Sequence, residues 1–458
     1  DLTIGRVDAT SGSIGALVAP FTKGPVEEAQ LIESEEDLLQ TFGQPYSVDK
    51  HYEYWMVASS YLAYGGTLQV VRADDFNTAT GVGLKNAFVG SASSIRIKSD
   101  THYNQLGYDE NTITGVTIAS KTPGTYANGI RVSIIDAKAD QILTVASGNV
   151  TVGTAVTQTA VGRVVAGSAG TSVLDGYVKG IVTGGSATTI DVKVVSHVSA
   201  AGTETNVNYQ NGGVYNFTST GTVGLTTAGQ AVTATGQSKT YTQQQDWFEQ
   251  QNIVLTSTDA NGNPIKLEWD ALADAPGTSS YAASRGGRFD EVHVVVIDDK
   301  GLVTGNTGTI LEKHLSLSKA KDGEYSVGST SYWRKYLATN SKYIYGGSAP
   351  AGITTTGYST SSTNTLDSDS GWDQDASGVN FGASGVFTGS LGGGTNYGGA
   401  ADYTTSGALN SGVDDLITGY TLFENTEEIE VDFILMGAAH HVNEQSQADA
   451  DTVIAVAE

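Results

Sequence analysis

The chain has 458 residues, with 24 basic and 49 acidic side chains and a net charge of −25. Such a charge repels nucleic-acid phosphates and anionic membranes, so the composition argues against partners of either kind. Cysteine is absent, which excludes disulfides, thiolate metal sites and cysteine nucleophiles. No apolar run reaches the ~18 residues of a membrane span. The length corresponds to about three domains of ~150 residues.

The first 85 residues carry an alternation of strand and helix patterns. Residues 14–21 predict a short buried strand that ends at a proline. Ser34 is placed to cap a helix whose first turn is acidic, and Gly43 is placed to end it. A second helix is predicted over 52–64, followed by a strand over 67–72. The side chains expected to be buried are Leu38, Leu39 and Phe42 in the first helix and Trp55, Ala58 and Leu62 in the second.

From about residue 86 the pattern changes to alternating polar and apolar side chains. This alternation predicts half-exposed strands over 94–98 and 130–135. Residues 141–245 form a distinct Val/Thr/Gly/Ser segment with only seven charged side chains. Runs at 161–165 and 190–195 suggest short strands separated by glycine turns, so we predict an inserted β-sandwich or barrel. A disordered linker is the alternative, although β-branched residues are frequent for a solvated coil.

The second half of the chain returns to mixed helix and strand patterns. Asn261 and Gly262 between apolar flanks predict a hairpin turn. The apolar run 292–297 is typical of a strand covered on both faces. The remaining predictions are helices at 309–317 and 331–337, a Gly/Ser/Thr-rich surface insertion at 346–412, a core strand at 430–436 and the start of a helix at 443–458.

These patterns predict an α/β plus β fold, in which a discontinuous α/β domain carries inserted β-sandwich or barrel modules. The first residues lack a basic stretch followed by an apolar core, so they predict no signal peptide. The predicted boundaries are 1–85 (first α/β part), 86–140 (β-rich domain), 141–245 (inserted outward-facing β module), 246–345 (return to the β-rich and α/β core), 346–415 (surface insertion) and 416–458 (last α/β part).

A search for catalytic motifs finds no nucleophile elbow, no phosphate-binding loop and no zinc-binding helix pair. Asp298 and Asp299 follow one predicted strand and His440 and His441 another, where α/β enzymes place active groups. Ordinary turn chemistry explains the aspartates equally well. Adjacent histidines on a strand point to opposite faces, which disfavours a shared metal. We therefore predict no catalytic, cofactor-binding or metal-binding residues and no cofactor.

Two charged groups have a binding alternative. One acidic cluster offers oxygen ligands at alternate positions, as Ca²⁺ prefers, but its twelfth position is Gly378 rather than a glutamate. A solvated acidic loop is the default for this cluster. Arg285 and Arg288 form a basic pair among glycines, for which an ion pair with another subunit and a solvated loop are both open. The acidic cluster consists of Asp367, Asp369, Asp373 and Asp375.

Four segments follow one another in a distinctive order. They are ALVAPFTKGP at 16–25, YLAYGGTLQVVR at 61–72, PGTYANGIRV at 123–132, and GTSSYAASR at 277–285 with DEVHVVVIDDKGLVTG at 290–305. In sequence and order they resemble the contractile-tail sheath proteins of myoviruses. The resemblance covers most of residues 14–135 and 277–345, and also 416–458. It does not extend to 141–245 or 346–412. One departure is Tyr126-Ala127, where the family usually has an aromatic residue followed by glycine.

The resemblance implies a structural, non-enzymatic subunit of the virion, made in the host cytoplasm. Such subunits assemble helically, as stacked hexameric rings around a tail tube. They contract when the baseplate triggers them, and so drive the tube through the host envelope. The implied partners are further copies of the chain and the tail tube, baseplate and tail terminator proteins, without nucleic acid or membrane insertion. The family's N-terminal arm and C-terminal domain are not visible in full, so we expect both ends to continue.

Other functions remain open from the sequence. A secreted adhesin or surface-layer subunit is the main alternative, because Thr/Gly-rich β modules are common in such proteins. An enzyme with Asp298 and His440 as acid–base groups is a second one. A closer alternative is a sheath from a phage-derived injection device.

Overall fold

The structure is a computed structural model, and every structural statement below concerns the residues that it describes. Those residues are 13–136, 141–144, 155–159, 163–167, 170–185, 189–206, 217, 225–227, 230–232, 252–350, 372–379, 381–382, 386–424 and 429–437.

The described elements are strands and short helices in mixed order. The strands are β1 (Ile14–Ala19), β2 (Gln30–Ile32), β3 (Thr67–Arg72), β4 (Phe88–Gly90), β5 (Val116–Ser120), β6 (Ile130–Ile135), β7 (Gln141–Thr144), β8 (Ala155–Thr159), β9 (Arg163–Gly167), β10 (Gly170–Leu174), β11 (Tyr177–Gly185), β12 (Thr189–Val198), β13 (Glu204–Asn206), β14 (Leu225–Thr227), β15 (Gln230–Val232), β16 (Asn252–Thr258), β17 (Pro264–Glu268), β18 (Glu291–Asp298), β19 (Thr309–Ser318), β20 (Glu324–Ser326), β21 (Ser329–Thr330), β22 (Ile344–Gly346), β23 (Val386–Ser390) and β24 (Phe433–Leu435). The helices are α1 (Glu35–Phe42), α2 (His51–Ala63), α3 (Asp100–Gln105), α4 (Ser280–Ser284), α5 (Trp333–Asn340) and α6 (Val413–Tyr420).

The chain divides into two compact units, each built from separate stretches of sequence. Unit 1 comprises Asp1–Ile130, Lys342–Tyr345 and Ser390–Glu458. Unit 2 comprises Arg131–Ser341 and Gly346–Gly389. The fold is therefore mixed α/β with several sheets, while the six-part division drawn from the sequence stays a prediction.

Unit 1 contains a four-stranded sheet in the order β2-β3-β1-β24. Its central strand β1 runs parallel to both β3 and β24. Because side chains alternate along a strand, Leu17 and Ala19 join one core with α1 and α2, whereas Ala16 and Val18 join another with α6. Both faces of β1 are thus covered, which explains its unbroken apolar sequence.

The two N-terminal helices form close to where local signals place them. The Ser34 side chain accepts a hydrogen bond from the backbone N–H of Asp37 and so caps α1. Gly43 ends the helix at φ 90°, a conformation that favours glycine. Leu38 and Phe42 are buried as predicted. Leu39 is exposed, so its predicted burial is wrong, because Leu38 and Phe42, which are four residues apart, share the helix face that packs in the core with α2.

The second sheet of unit 1 has the order β22-β5-β4. Residues 94–98 lie beside it and keep the predicted alternation, with Ile95 and Ile97 buried. They form no strand, which corrects the prediction. The physical reason is that the Asn86 side chain bonds the backbone N–H and C=O of Ile97 and the C=O of Ser120, so a side-chain amide replaces strand pairing.

Unit 2 is built around a sheet in the order β19-β18-β6-β23. Strand β18 is buried on both faces, as predicted from its apolar run. Residues 309–317, predicted as a helix, instead form the strand β19 along β18. The reason is tertiary, since the backbone groups of the buried β18 need a hydrogen-bonding neighbour, and pairing outweighs the weak local helix preference.

The inserted segment contributes strands that pair with one another. Six of them run in the order β13-β12-β11-β8-β14-β15, with β7 on β12, while β9 and β10 form a separate hairpin. The strands predicted at 161–165 and 190–195 correspond to β9 and β12. Gly180 allows the buried Phe217 ring to approach, since a Cβ there would lie 2.7 Å from the ring. The described strands form no closed barrel, so that part of the prediction is wrong, while the sandwich stays a prediction.

Three further predictions have clear outcomes. Asn261 and Gly262 lie in the turn between the antiparallel strands β16 and β17, so the hairpin is confirmed. The helix predicted at 331–337 is α5, displaced by about half a turn. The core strand predicted at 430–436 is only the short strand β24, whose Phe433 is 56% exposed, so its predicted burial is wrong. The prediction at 443–458 lies outside the described residues, as do residues 351–371 of the 346–412 insertion. In the described remainder of that insertion, β23 pairs with β6 and the side chains of Trp372, Phe381 and Tyr397 are buried, so these parts do not lie on the surface as predicted.

No described helix has both the length and the apolar character needed to cross a membrane.

Candidate functional site

The carboxylates of Asp298 and Asp299 serve the backbone around them. Asp298 ends β18 and accepts hydrogen bonds from the backbone N–H groups of Leu302, Val303 and Thr304, at 2.7–3.0 Å. It therefore shapes the loop between β18 and β19. Both aspartates are almost fully buried, with exposures of 0% and 2%. This arrangement fits the turn-forming alternative, whereas an acid–base group needs an approach for substrate.

Asp299 holds two strands together by a charged network. It accepts bonds from the backbone and hydroxyl of Thr256 (2.8 and 2.6 Å) and from Arg131 Nε (2.9 Å). Burial by itself raises the pKa of Asp299, but the hydrogen bonds from Thr256 and Arg131 outweigh it and hold the pKa below its ordinary value. The proposed acid–base partner His440, and His441 beside it, lie outside the described residues.

The aspartates of the acidic cluster that the structure describes differ in their surroundings. Asp373 Oδ1 accepts bonds from the Tyr332 hydroxyl (2.6 Å) and from Trp333 Nε1 (3.1 Å), so this carboxylate is used within the fold. Asp375 is exposed and lies 3.5 Å from Lys321 Nζ. Asp367 and Asp369 are outside the described residues. Within the described ranges, no group of three or more acidic or histidine side chains is arranged to hold a metal ion.

A buried arginine joins the sequence motifs of unit 1. Arg72, at the end of β3, is completely buried and donates hydrogen bonds to the carbonyl oxygens of Phe21 (2.8 Å), Gly24 (3.0 Å) and Pro123 (2.7 Å). These acceptors belong to the motifs at 16–25 and 123–132, and Arg72 closes the motif at 61–72. Three of the four distinctive segments therefore meet at one guanidinium group, which gives them a common structural role.

A buried ion pair plays a similar role in unit 2. Lys319 Nζ lies 2.7 Å from Asp136 Oδ1 and also donates to the carbonyl oxygens of Phe289 (2.9 Å) and Gly382 (3.0 Å). Three acceptors around one ammonium group match its three N–H donors. Burial lowers the pKa of Lys319, and the charge of Asp136 opposes this shift. Sequence analysis missed this pair because nothing local marks either residue as buried.

The two arginines of the basic pair differ in their surroundings. Arg288 donates to the carbonyl oxygen of Val195 (3.1 Å) and to the side chain of Asn206. Arg285 is exposed and its guanidinium carbon lies 3.5 Å from the centre of the Tyr281 ring. Arg285 also donates to the Tyr281 carbonyl oxygen (3.2 Å). Among the described residues, no carboxylate lies within 4.0 Å of the Arg285 nitrogens, so its charge has no partner of opposite sign there.

One edge of unit 1 exposes acidic and apolar side chains. Strand β24 exposes Phe433 (56%) and Ile434 (49%) and is preceded by the exposed carboxylate of Glu430. Glu424, also exposed, lies just after α6, and α6 contacts β24 through the Tyr420 hydroxyl, which donates to Leu435 O at 2.6 Å. We call these four exposed residues (Glu424, Glu430, Phe433 and Ile434) the β24 edge surface.

Negative charge is concentrated in this part of the sequence. From residue 343 to the last residue there are sixteen acidic side chains and no lysine or arginine. In unit 1, burial raises the pKa of Asp415 to about 6, and the negative charges of Asp75, Asp74 and Asp414 add to this shift, while a hydrogen bond from Gly412 opposes it. Burial is the main cause of this shift, and the neighbouring carboxylates only add to it.

Comparison with known proteins gives one local match. The chain is 41% identical over 69 residues to the tail sheath protein of Enterobacteria phage T4. This segment is 15% of the chain and 10% of that protein, so the match spans about a tenth of the relative's length. No established family profile matches the chain.

Two solved structures show only slight likeness. A sheath tail protein from Listeria innocua is 18% identical with a TM-score of 0.17, covering 27% of this chain and 21% of that one. A sheath tail protein from Desulfitobacterium hafniense is 15% identical with a TM-score of 0.16, covering 27% of this chain and 22% of that one. Neither TM-score supports a shared overall fold, so the similarity to sheath proteins rests on the sequence match.

Proposed function

We propose that this protein is a structural subunit of a contractile tail sheath. In this proposal, copies assemble helically around a tail tube and shorten on a baseplate signal to drive the tube through a host envelope. The observation that carries the proposal is the 69-residue match, at 41% identity, to a tail sheath protein. The order of the four distinctive segments along the chain agrees with it.

The environment of the charged residues supports a structural role over catalysis. Each candidate carboxylate in the described part of unit 2 is either bonded to its own fold, as Asp298, Asp299 and Asp373 are, or exposed in a loop, as Asp375 is. The energy for contraction would then be stored in contacts between subunits, which requires no nucleotide. Tube, baseplate and terminator proteins are the partners that follow from this proposal.

The proposal is tested by electron microscopy of the full-length protein. We expect the purified protein, negatively stained at high concentration, to form hollow, striated tubes of uniform width. Dispersed particles under all salt and pH conditions would contradict the proposal. Those particles would then be assayed for adhesion to cell surfaces and for hydrolysis, which distinguishes the adhesin and enzyme alternatives.

A further inference from the structure

We propose that Arg285, held on Tyr281, docks against the β24 edge surface of a second copy of this chain. The proposal rests on the proposed sheath function, because it assigns one contact through which copies would assemble. The contact joins a patch of unit 2 on one copy to a different patch of unit 1 on the next. Where such a contact repeats head-to-tail, it generates rings or helical arrays, as a sheath requires.

The first argument is the unusual condition of Arg285. It is exposed, yet its guanidinium group is fixed by stacking on the Tyr281 ring and by bonds to the Tyr281 carbonyl (3.2 Å) and the Ser284 hydroxyl (3.2 Å). A long cationic side chain that is already ordered loses less conformational entropy when a partner binds. The Tyr281 hydroxyl donates to Asp322 (3.2 Å), but no described carboxylate lies within 4.0 Å of the Arg285 nitrogens, so Arg285 presents an ordered positive charge without a direct ion pair.

The second argument is the complementary chemistry of the β24 edge surface. Neither Glu424 nor Glu430 has a lysine or arginine nitrogen within 4.0 Å in the described parts of the chain. Phe433 and Ile434 expose about half of their surface, and as neighbours on β24 they point to opposite faces of the strand. A guanidinium group can pair with a carboxylate such as that of Glu430, and its free flat face can pack against an exposed aromatic ring such as that of Phe433.

The third argument is charge, which favours Arg285 over strand β2, the other edge of the same sheet, as the group that meets the β24 edge surface. Association of molecules with a net charge of −25 is opposed by repulsion unless cations enter the contact. The other sheet edge, β2, exposes Leu31 but lies between Glu28 and Glu33. Pairing of β2 with β24 would bring acidic residues together, whereas Arg285 brings the opposite charge.

The test replaces Arg285 with glutamate in the full-length protein and measures the concentration at which tubes form, by sedimentation and negative staining. We expect Arg285→Glu to raise this concentration about tenfold or more, as for the loss of a contact charge pair. Lys300→Glu is the matched control, because Lys300 is exposed on another loop and the substitution changes the charge equally. It should assemble as the unaltered protein does.

A charge exchange identifies the partner surface. Adding Glu430→Lys or Glu424→Lys to Arg285→Glu should restore assembly at least partly, because the pair is re-formed with opposite signs. Equal assembly of Arg285→Glu and Lys300→Glu would overturn the docking role of Arg285. Impaired assembly that neither lysine restores would overturn the β24 edge surface as its partner. Unchanged thermal unfolding of Arg285→Glu shows that the fold is intact.

The outcome also separates the two proposals. If the unaltered protein forms tubes and Arg285→Glu forms them equally well, the sheath function stands and the docking contact fails. If the unaltered protein forms no tubes under any condition, the sheath proposal fails and the docking contact fails with it.

Discussion

At the scale of single residues, the buried histidine of unit 1 makes stability depend on pH. His51 is fully buried, and its Nδ1 accepts a hydrogen bond from the Tyr46 backbone (3.1 Å). Burial, with the charge of Arg72 adding and that of Asp49 opposing, lowers the pKa of His51 to about 4. In an unfolded chain a histidine titrates near 6.5. The stability that depends on neutral His51 is therefore complete above pH 6.5 and is lost as the pH falls towards 4.

We expect the unaltered protein to lose about 1–2 kcal/mol more stability between pH 7 and pH 5 than a His51→Phe variant does. Denaturant unfolding at the two pH values measures the difference. Trp55→Phe, one turn further along α2, is the control, because it removes the bond from Trp55 Nε1 to the Gly43 carbonyl but no titrating group. It should destabilise equally at both pH values. Equal pH dependence in His51→Phe and the unaltered protein would contradict the assignment.

Buried charges are also where sequence reasoning reaches its limit. Arg72 could be placed at the end of a strand from local pattern, but not as the group that ties three motifs together. Lys319 and Asp136 are 183 positions apart, and each is an ordinary surface residue type by composition. Their burial follows from the pairing of distant strands, which no local window contains. The residues that hold each unit together were therefore missed, although the motifs around them were recognised.

At the scale of elements, local signals predicted well and long-range pairing did not. Helix α1 was predictable because its cap, its acidic first turn and its terminal glycine all lie within ten residues of one another. Strand β19 was predicted as a helix because its own residues carry no clear strand pattern, and its conformation depends on pairing with β18. Strand β24 was assigned to the core because its apolar residues suggested burial, whereas it lies beside β1 with Phe433 and Ile434 exposed. Periodicity thus identified elements better than it identified their neighbours.

The packing of α6 on β1 gives a prediction at this scale. A Cβ added to Gly419 would lie 2.4 Å from Val18 Cγ1, so the helix reaches the strand only because this position has no side chain. We expect Gly419→Ala to destabilise unit 1 by about 1–2 kcal/mol, since overpacking outweighs the small gain in helix propensity. Thermal unfolding measures the change.

Thr418→Ala is the matched control for this prediction. It places alanine on the same helix at an exposed position and removes only the bond from the Thr418 hydroxyl to the Asp414 carbonyl. We expect it to change stability by less than about 0.5 kcal/mol. A Gly419→Ala variant at least as stable as Thr418→Ala would show that Val18 can move aside at little cost.

At the scale of the whole molecule, the inserted module forms its own set of paired strands. Its described strands, β7 to β15, pair only with one another. The described contacts that join it to the rest of unit 2 include the bond from Arg288 to the Val195 carbonyl and the Lys193 ammonium over the Phe289 ring, at 4.9 Å from its centre. Removing the module therefore breaks no described strand pairing in the sheet built on β18.

We predict that deleting 141–245 leaves tube formation intact and reduces the outer width of the tubes, because we expect this module to project outward from the assembly. The deletion retains Asp136 and β16, so the buried pair with Lys319 and the core against β18 are preserved. Negative-stain microscopy of the full-length protein with and without the module measures both properties. Arg288→Ala is the control, since it removes one contact with the module while the module remains. A deletion variant that folds, as judged by its thermal transition, but forms no tubes while Arg288→Ala forms them would show that the module itself makes contacts between subunits.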